Sequence, residues 1–220
     1  MWQRFLSPTA SSSSSSRILS SPEIRDYHGH VKRQALALQF KKLKEPPSGM
    51  YIVPDLDRSH VWHGVIFVHG GVYARGIFKF VIEFPGSFPE TSPTVRFTSQ
   101  MFHPMIDAKT GKLDVSLVET FWQPNFDAIV VVNFVKKVFY DTQLWTEDGN
   151  GRGNPEARTL FLQSNSKFVA RVSKCVSLSK DRLYVNETNS SIEFSRPTEE
   201  HQRAWDSVQS GEDPRQWLRQ

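Results

Sequence analysis

Residues 77–84 read IFKFVIEF, and from Phe84 the chain continues FPGSFPETSP. The first stretch alternates. Phe78, Phe80, Ile82 and Phe84 share one face of a strand, while Lys79 and Glu83 share the other with Ile77 and Val81. The second stretch stops that strand, because proline cannot donate to a sheet ladder, and it reads as a rigid, extended connection. The surrounding order is a helix, then three or four antiparallel strands joined by short turns.

The flanking sequence supplies them. GMYIVP (49–54) is a short strand that ends at Pro54, and HVWHGVIFVH (60–69) is apolar on both faces, as a central strand is. Gly70-Gly71 gives a turn, and TVRFT (94–98) is a fourth strand. Ahead of the strands, residues 27–44 are helical, with Leu36, Phe40 and Leu43 on one face and Pro46-Pro47 as the stop. After them, Asn125 is placed to cap a buried, apolar helix that runs to about Tyr140, with Asp127 in its first turn. Asn154 caps another helix with Pro155 at its first position, and further on Phe168, Val172, Cys175 and Val176 share a face. Between strands and helices, residues 99–124 show no strong periodicity, and so long an irregular stretch in a compact domain is usually functional.

At 220 residues the chain suits one domain with tails: a disordered Ser-rich tail over 1–24, a domain over 25–185, and a polar C-terminal tail over 186–220. In that last tail Pro197-Thr198 begins a short helix that carries Trp205. A core of roughly 150 residues buries about 70% of the surface its unfolded chain exposes, so neither disulfide nor metal is needed. The single cysteine, Cys175, fits a reducing compartment. The acid-poor start of the chain reads either as a tail open to phosphorylation at Ser7 or Ser21 or as a mitochondrial presequence. The formal charge of +4 is interspersed rather than gathered in the basic stripe that nucleic acid requires. No apolar run nears the roughly 20 residues of a membrane span, so direct membrane insertion is not expected. Seven scattered histidines and one cysteine have no zinc-ligand spacing, and neither metal nor cofactor is expected.

The order of elements resembles that of the ubiquitin-conjugating (E2) fold, an α+β architecture with an antiparallel four-stranded sheet, an N-terminal helix and C-terminal helices. The residues resemble it too. Phe84-Pro85, Phe88-Pro89 and Pro93 look like the family's prolines after the third strand; Phe102-His103-Pro104 looks like the start of its His-Pro-Asn motif. Trp122, Pro124 and Asn154-Pro155-Glu156-Ala157 look like its later landmarks, and the likeness covers about residues 30–180. Within the family, GVIFVHGGVYARGIFKF (64–80), FHPMIDAKTGKLDV (102–115) and KKVFYD (136–141) resemble the Fused toes / Akt-interacting protein group of inactive variants. That resemblance implies a cytoplasmic role in vesicle and protein transport at endosomes. The implied partners are a Hook-type coiled-coil protein, which links vesicles to a microtubule motor, and a second helical protein.

The departures from the motif set the expectations for the site. Met105 stands where the family has its asparagine, and Asp114 stands where it has its cysteine. A carboxylate is a poor substitute for a thiolate in thioester exchange, and its product would be a mixed anhydride well uphill of a thioester. A thioether donates no hydrogen bond to an oxyanion. The chain is therefore expected to be a pseudo-enzyme. Two other classes stay open: a ubiquitin-binding variant that assists an active E2, and an enzyme that uses Cys175 as a relocated nucleophile. His103 reads as a turn-fixing histidine rather than a base, and Asp107 and Asp114, with Lys109 and Lys112, as a solvated loop. Trp205 and Trp217 either fold back on the domain or enter a partner, since aromatics anchor interfaces.

Overall fold

A computed structural model describes residues 22–146, 151–187 and 189–211. The first helix, α1, spans Pro22–Lys42, so residues 22–24 belong to it rather than to the preceding tail. Strands β1 (Met50–Pro54), β2 (Val61–Phe67), β3 (Ile77–Glu83) and β4 (Thr94–Phe97) follow. They form an antiparallel meander in the order β1-β2-β3-β4. Its register pairs Tyr51 with Val65, Val65 with Lys79, and Val81 with Arg96. Helices α2 (Ser116–Phe121), α3 (Ile129–Lys137), α4 (Pro155–Gln163), α5 (Asn165–Asp181) and α6 (Glu199–Ser210) come after.

The alternation in β3 is realised in the core. Phe78, Phe80 and Ile82 are enclosed with Trp62, Phe97 and Phe139. Trp62 sits between Phe40 of α1 and Phe84, with ring centroids 5.5 and 4.5 Å away. Each such side chain contributes roughly 2–3 kcal/mol through the surface it removes from water. Leu36 and Leu43 of α1 are buried, as are Phe168, Val172, Cys175 and Val176 of α5.

Four expectations need correction. The proline segment is folded rather than extended: Phe88 N–H donates to Pro85 O and Glu90 N–H to Ser87 O in successive turns. Residues 99–124 contain α2 as well as isolated bridges that link His103 to Ile106 and Ile106 to Leu113. Asn125 caps nothing; α3 begins after Ala128, without a side-chain cap. Asp127 instead accepts hydrogen bonds from Gln39 and Lys42 of α1 at 3.0 and 2.8 Å, and that tie holds the approach to α3. A 3-10 turn over Thr142–Trp145, too short for any periodicity, buries Trp145.

The second face of the sheet is covered over β2 and β3, while Tyr51 and Val53 of β1 on the same face stay exposed. Val61, Val65 and Val81 are buried, yet they lie outside the main core. Residues 184–187 and 189–196, a strap, lie against this face. Lys79 Nζ donates to Val185 O at 3.0 Å, and the Phe194 ring packs on Phe67 (6.4 Å) and under Lys79 (5.2 Å). Asn186 closes the strap, donating to Phe194 O at 3.0 Å and accepting from Phe194 N–H at 2.9 Å. Below it, Asp55 is clamped by His63 at 2.9 Å and by Arg58 at 2.6 Å. Burial opposes ionisation of Asp55, but these hydrogen bonds and two backbone N–H groups outweigh it and hold the carboxyl well below its usual range.

Candidate functional site

The site is built where the chain leaves β4 and turns back toward α2. Main-chain bonds fold residues 103–114 on themselves: Ile106 N–H donates to His103 O, and Asp114 N–H donates to Met105 O at 2.8 Å. The turn between the two halves is made by Asp107, whose Oδ1 accepts from Lys109 N–H and from both Thr110 N–H and Oγ1–H. Those bonds, the one from Thr110 N–H foremost, lower the Asp107 pKa. Gly111 is required after it, because its φ is +72° and a Cβ would stand 2.1 Å from Phe97 O.

His103 is fully enclosed, its ring 5.0 Å from that of Tyr73 and 5.2 Å from that of Trp145. Nδ1 accepts from Met105 N–H at 3.1 Å, and Nε2 lies 3.0 Å from Val138 O. A carbonyl only accepts, so Nε2 carries the proton. Burial lowers the pKa to about 3, although the Val138 bond works the other way. Trp145 Nε1–H donates to the same carbonyl at 2.7 Å. Together the two rings satisfy a carbonyl left open at the end of α3. With both nitrogens in use and no route to water, His103 is poorly placed to take a proton from a substrate.

Asp114 is not the solvated loop residue that its charged surroundings suggest. It is 5% exposed, and its Oδ1 accepts from Ser116 N–H at 3.0 Å and from Ser116 Oγ–H at 2.6 Å. These bonds make a tight turn just ahead of α2, whose own N-cap, Val115, has no side-chain cap bond. Arg152 closes over it, 3.9 Å from Asp114 and 2.6 Å from Glu119. Met105 is buried beside it. The loop that brings Arg152 is anchored through Asn154, whose N–H donates to Pro104 O at 2.8 Å and whose side chain accepts from Ala157 N–H at 3.1 Å to cap α4. Met105, Asp114 and His103 are thus brought together, in a spot filled by a thioether, a committed carboxylate and a guanidinium.

Cys175 stands apart on α5. It is buried, its Sγ accepts from Phe102 N–H at 3.3 Å, and it is 3.4 Å from Gln100 O. Burial pushes its pKa up, only partly offset by the Phe102 bond, so little thiolate is present at neutral pH. Trp205 projects from α6 and is 60% exposed. Trp217, Ser7 and Ser21 lie outside the described residues. Sequence reasoning missed Arg152 and the strap, since each is made by contacts far apart in the chain; it also missed the Asp55–His63–Arg58 cluster, whose members lie within eight residues but follow no periodic pattern. Among the described residues, no three His, Cys, Asp or Glu side chains gather as metal ligands, and no helix is long and apolar enough to cross a membrane.

Residues 35–176 match the family described as "Ubiquitin-conjugating enzyme". Over 158 residues the chain is 35% identical to a "Protein crossbronx homolog" of Culex quinquefasciatus, a match that covers 70% of this chain and 68% of that one. It is 30% identical over 189 residues to "Protein AKTIP homolog" of Nematostella vectensis, covering 83% of this chain and 62% of that one. It is also 32% identical over 144 residues to "AKT-interacting protein" of Mus musculus, where the match covers 64% of this chain and 48% of the relative. The chain thus spans about half the length of the mouse protein. Among solved structures, a putative ubiquitin conjugating enzyme from Plasmodium yoelii superposes with a TM-score of 0.56 at 18% identity, over 66% of this chain and 92% of that one. At that identity the likeness is one of fold.

Proposed function

The chain belongs to the ubiquitin-conjugating enzyme family, in the group of E2 variants that holds the AKT-interacting proteins, and from that membership we propose that it works as a non-catalytic, E2-like adaptor. The observation that carries the reading is Asp114. At the place the motif gives to the nucleophile stands a buried carboxylate committed to Ser116 and covered by Arg152. A carboxylate so held neither attacks a thioester nor releases an acyl group to an amine at a useful rate. Met105 supplies no donor for the oxyanion, a loss typically worth about 2.7–4 kcal/mol of transition-state stabilisation. The one thiol, on Cys175, is enclosed and poorly ionised.

The finer reading follows the relatives. In it the chain joins a Hook-type coiled-coil protein and a second helical protein in the cytoplasm and couples endosomal vesicles to a microtubule motor. Trp205 and Trp217 are its partner-binding residues. Support for this is the exposure of Trp205 on a helix joined to the body by the strap.

Two experiments test the proposal. Incubation with an E1, ATP and ubiquitin should give no adduct that a reducing agent removes, whereas a reducible adduct lost in Cys175→Ser would establish the enzyme reading. Purification of the tagged full chain from its own cells should bring down a coiled-coil protein in near-stoichiometric amount. Recovery of ubiquitin or an active E2 in its place would favour a ubiquitin-pathway cofactor.

A further inference from the structure

Between residues 100–108, the start of α4 and one face of α5 lies a cleft of about 380 Å³, within the size range of pre-formed ligand sites. Met101, Phe102 and Leu178 give it an apolar wall. From α5, Arg171, Lys174, Cys175 and Leu178 line it at i, i+3, i+4 and i+7, the spacing of a single helix face.

Some of its polar groups are already engaged. The Cys175 thiol donates to Gln100 O at 3.4 Å, and its sulfur accepts from Phe102 N–H at 3.3 Å. Glu156 is the one carboxylate of the lining, and its Oε1 accepts from Arg171 Nη1 at 2.8 Å. That pair neutralises the carboxylate. The guanidinium is also seated 4.5 Å over the Phe102 ring, so Arg171 is held in place with further N–H groups to offer.

What is left free is a set of donors. Among the described residues, Lys174 has no ion-pair or hydrogen-bond partner. Asn154 is 3% exposed, and its Oδ1 is fixed as an acceptor by Ala157 N–H at 3.1 Å. The amide is therefore oriented, and its Nδ2 meets no acceptor among the described residues. Native proteins rarely leave a buried donor in that condition, because it has given up water without a substitute. An acceptor that arrives through the cleft would satisfy it.

A site that offers an ammonium, a guanidinium edge and an amide N–H, and that has its only carboxylate neutralised, selects an oxyanion. A cation would be repelled by Lys174 and Arg171, and a bare inorganic anion would leave the Met101–Phe102 wall uncovered. Along α5 the neighbouring exposed residues are Lys167, Ser173 and Ser177, so a protein partner would find little apolar surface to bury beside the cleft.

We propose that this cleft binds a small organic anion, its carboxylate or phosphate meeting Lys174, Arg171 and the Asn154 amide and its apolar body lying against Met101, Phe102 and Leu178. The inference goes beyond the adaptor reading and does not depend on it. Binding adds to the stability of the folded chain by mass action. It also acts on the loop over Asp114, because the Asn154 N–H holds that loop to Pro104 O.

The test uses the purified full chain. Phenyl phosphate and phenylacetate are the anions; benzyl alcohol and 2-phenylethylamine are the neutral and cationic controls. At least one anion should bind saturably and shift the amide resonances of residues 100–108 and 171–178 and the side-chain amide of Asn154; the tighter of the two identifies the head group. Both controls should bind at least tenfold more weakly. Lys174→Gln, at an exposed position, should weaken the anion at least fivefold without moving the melting midpoint of the free protein. Asn154→Asp keeps an acceptor for Ala157 N–H but sets an oxygen where Nδ2 stands, and should abolish binding. No saturable binding of either anion, equal binding of a control, shifts confined to other residues, or an affinity unmoved by Lys174→Gln would overturn the proposal. None of these outcomes bears on the thioester or co-purification results, so the two readings fail separately.

Discussion

His103 and Asp114 show how single side chains are spent on structure. His103 takes a proton near pH 6.5 when unfolded but only near pH 3 when folded. Its folded pKa is the lower one, so the unfolded chain binds the extra proton and stability falls as the pH drops below about 6.5. Urea unfolding should show a loss of about 2 kcal/mol between pH 7 and pH 5 from this residue. Asp55, also lowered by folding, adds its own loss only below about pH 4. A flat profile from pH 7 to 5 would mean that His103 is hydrated. For Asp114, replacement by alanine removes the acceptor of Ser116 N–H and Oγ–H, and should cost about 1–2 kcal/mol in the same assay. Cys175 should react with an aromatic disulfide reagent in folded protein far more slowly than a free thiol does, and at full speed in urea.

At the scale of elements, the loop over Asp114 depends on one glycine. Gly153 has φ +76°, and a Cβ there would lie 2.3 Å from Pro104 O. Gly153→Ala should therefore lift the 151–154 loop and cost more than 1 kcal/mol in thermal or urea unfolding, with the amide signals of Met105 and Asp114 moving most. The sheet was the most legible part of the sequence. Period-two alternation in β3 and the doubly apolar β2 give their burial directly, because a strand's faces are set by its own residues. What covers the second face was not legible. The strap holds on through main-chain carbonyls and one ring, Phe194, and such contacts leave no period in a polar stretch. The helix ends were misread for a related reason. Asn125 has the composition of a cap, but the α3 approach is set by Asp127 reaching α1, a bond across 88 residues from Gln39.

For the molecule as a whole, the order of motifs sufficed to place the fold, since each landmark fixes the spacing of the next. The state of the candidate site lay only half in the sequence. Met105 and Asp114 could be read as departures, but Arg152 arrives from a loop 38 residues beyond Asp114, and only the packing shows it closing the spot. Trp205→Ala should reduce recovery of the copurifying partner severalfold without moving the melting temperature, since the ring is largely in water. The strap has a consequence for synthesis. Strand β3 ends at Glu83, and the strap begins a hundred residues later. At roughly 5–20 residues per second the ribosome needs about 5–20 s to make that stretch. During that interval a nascent sheet would display Val61, Val65 and Val81 uncovered, so the emerging chain is a candidate client for chaperones well before its last helix exists.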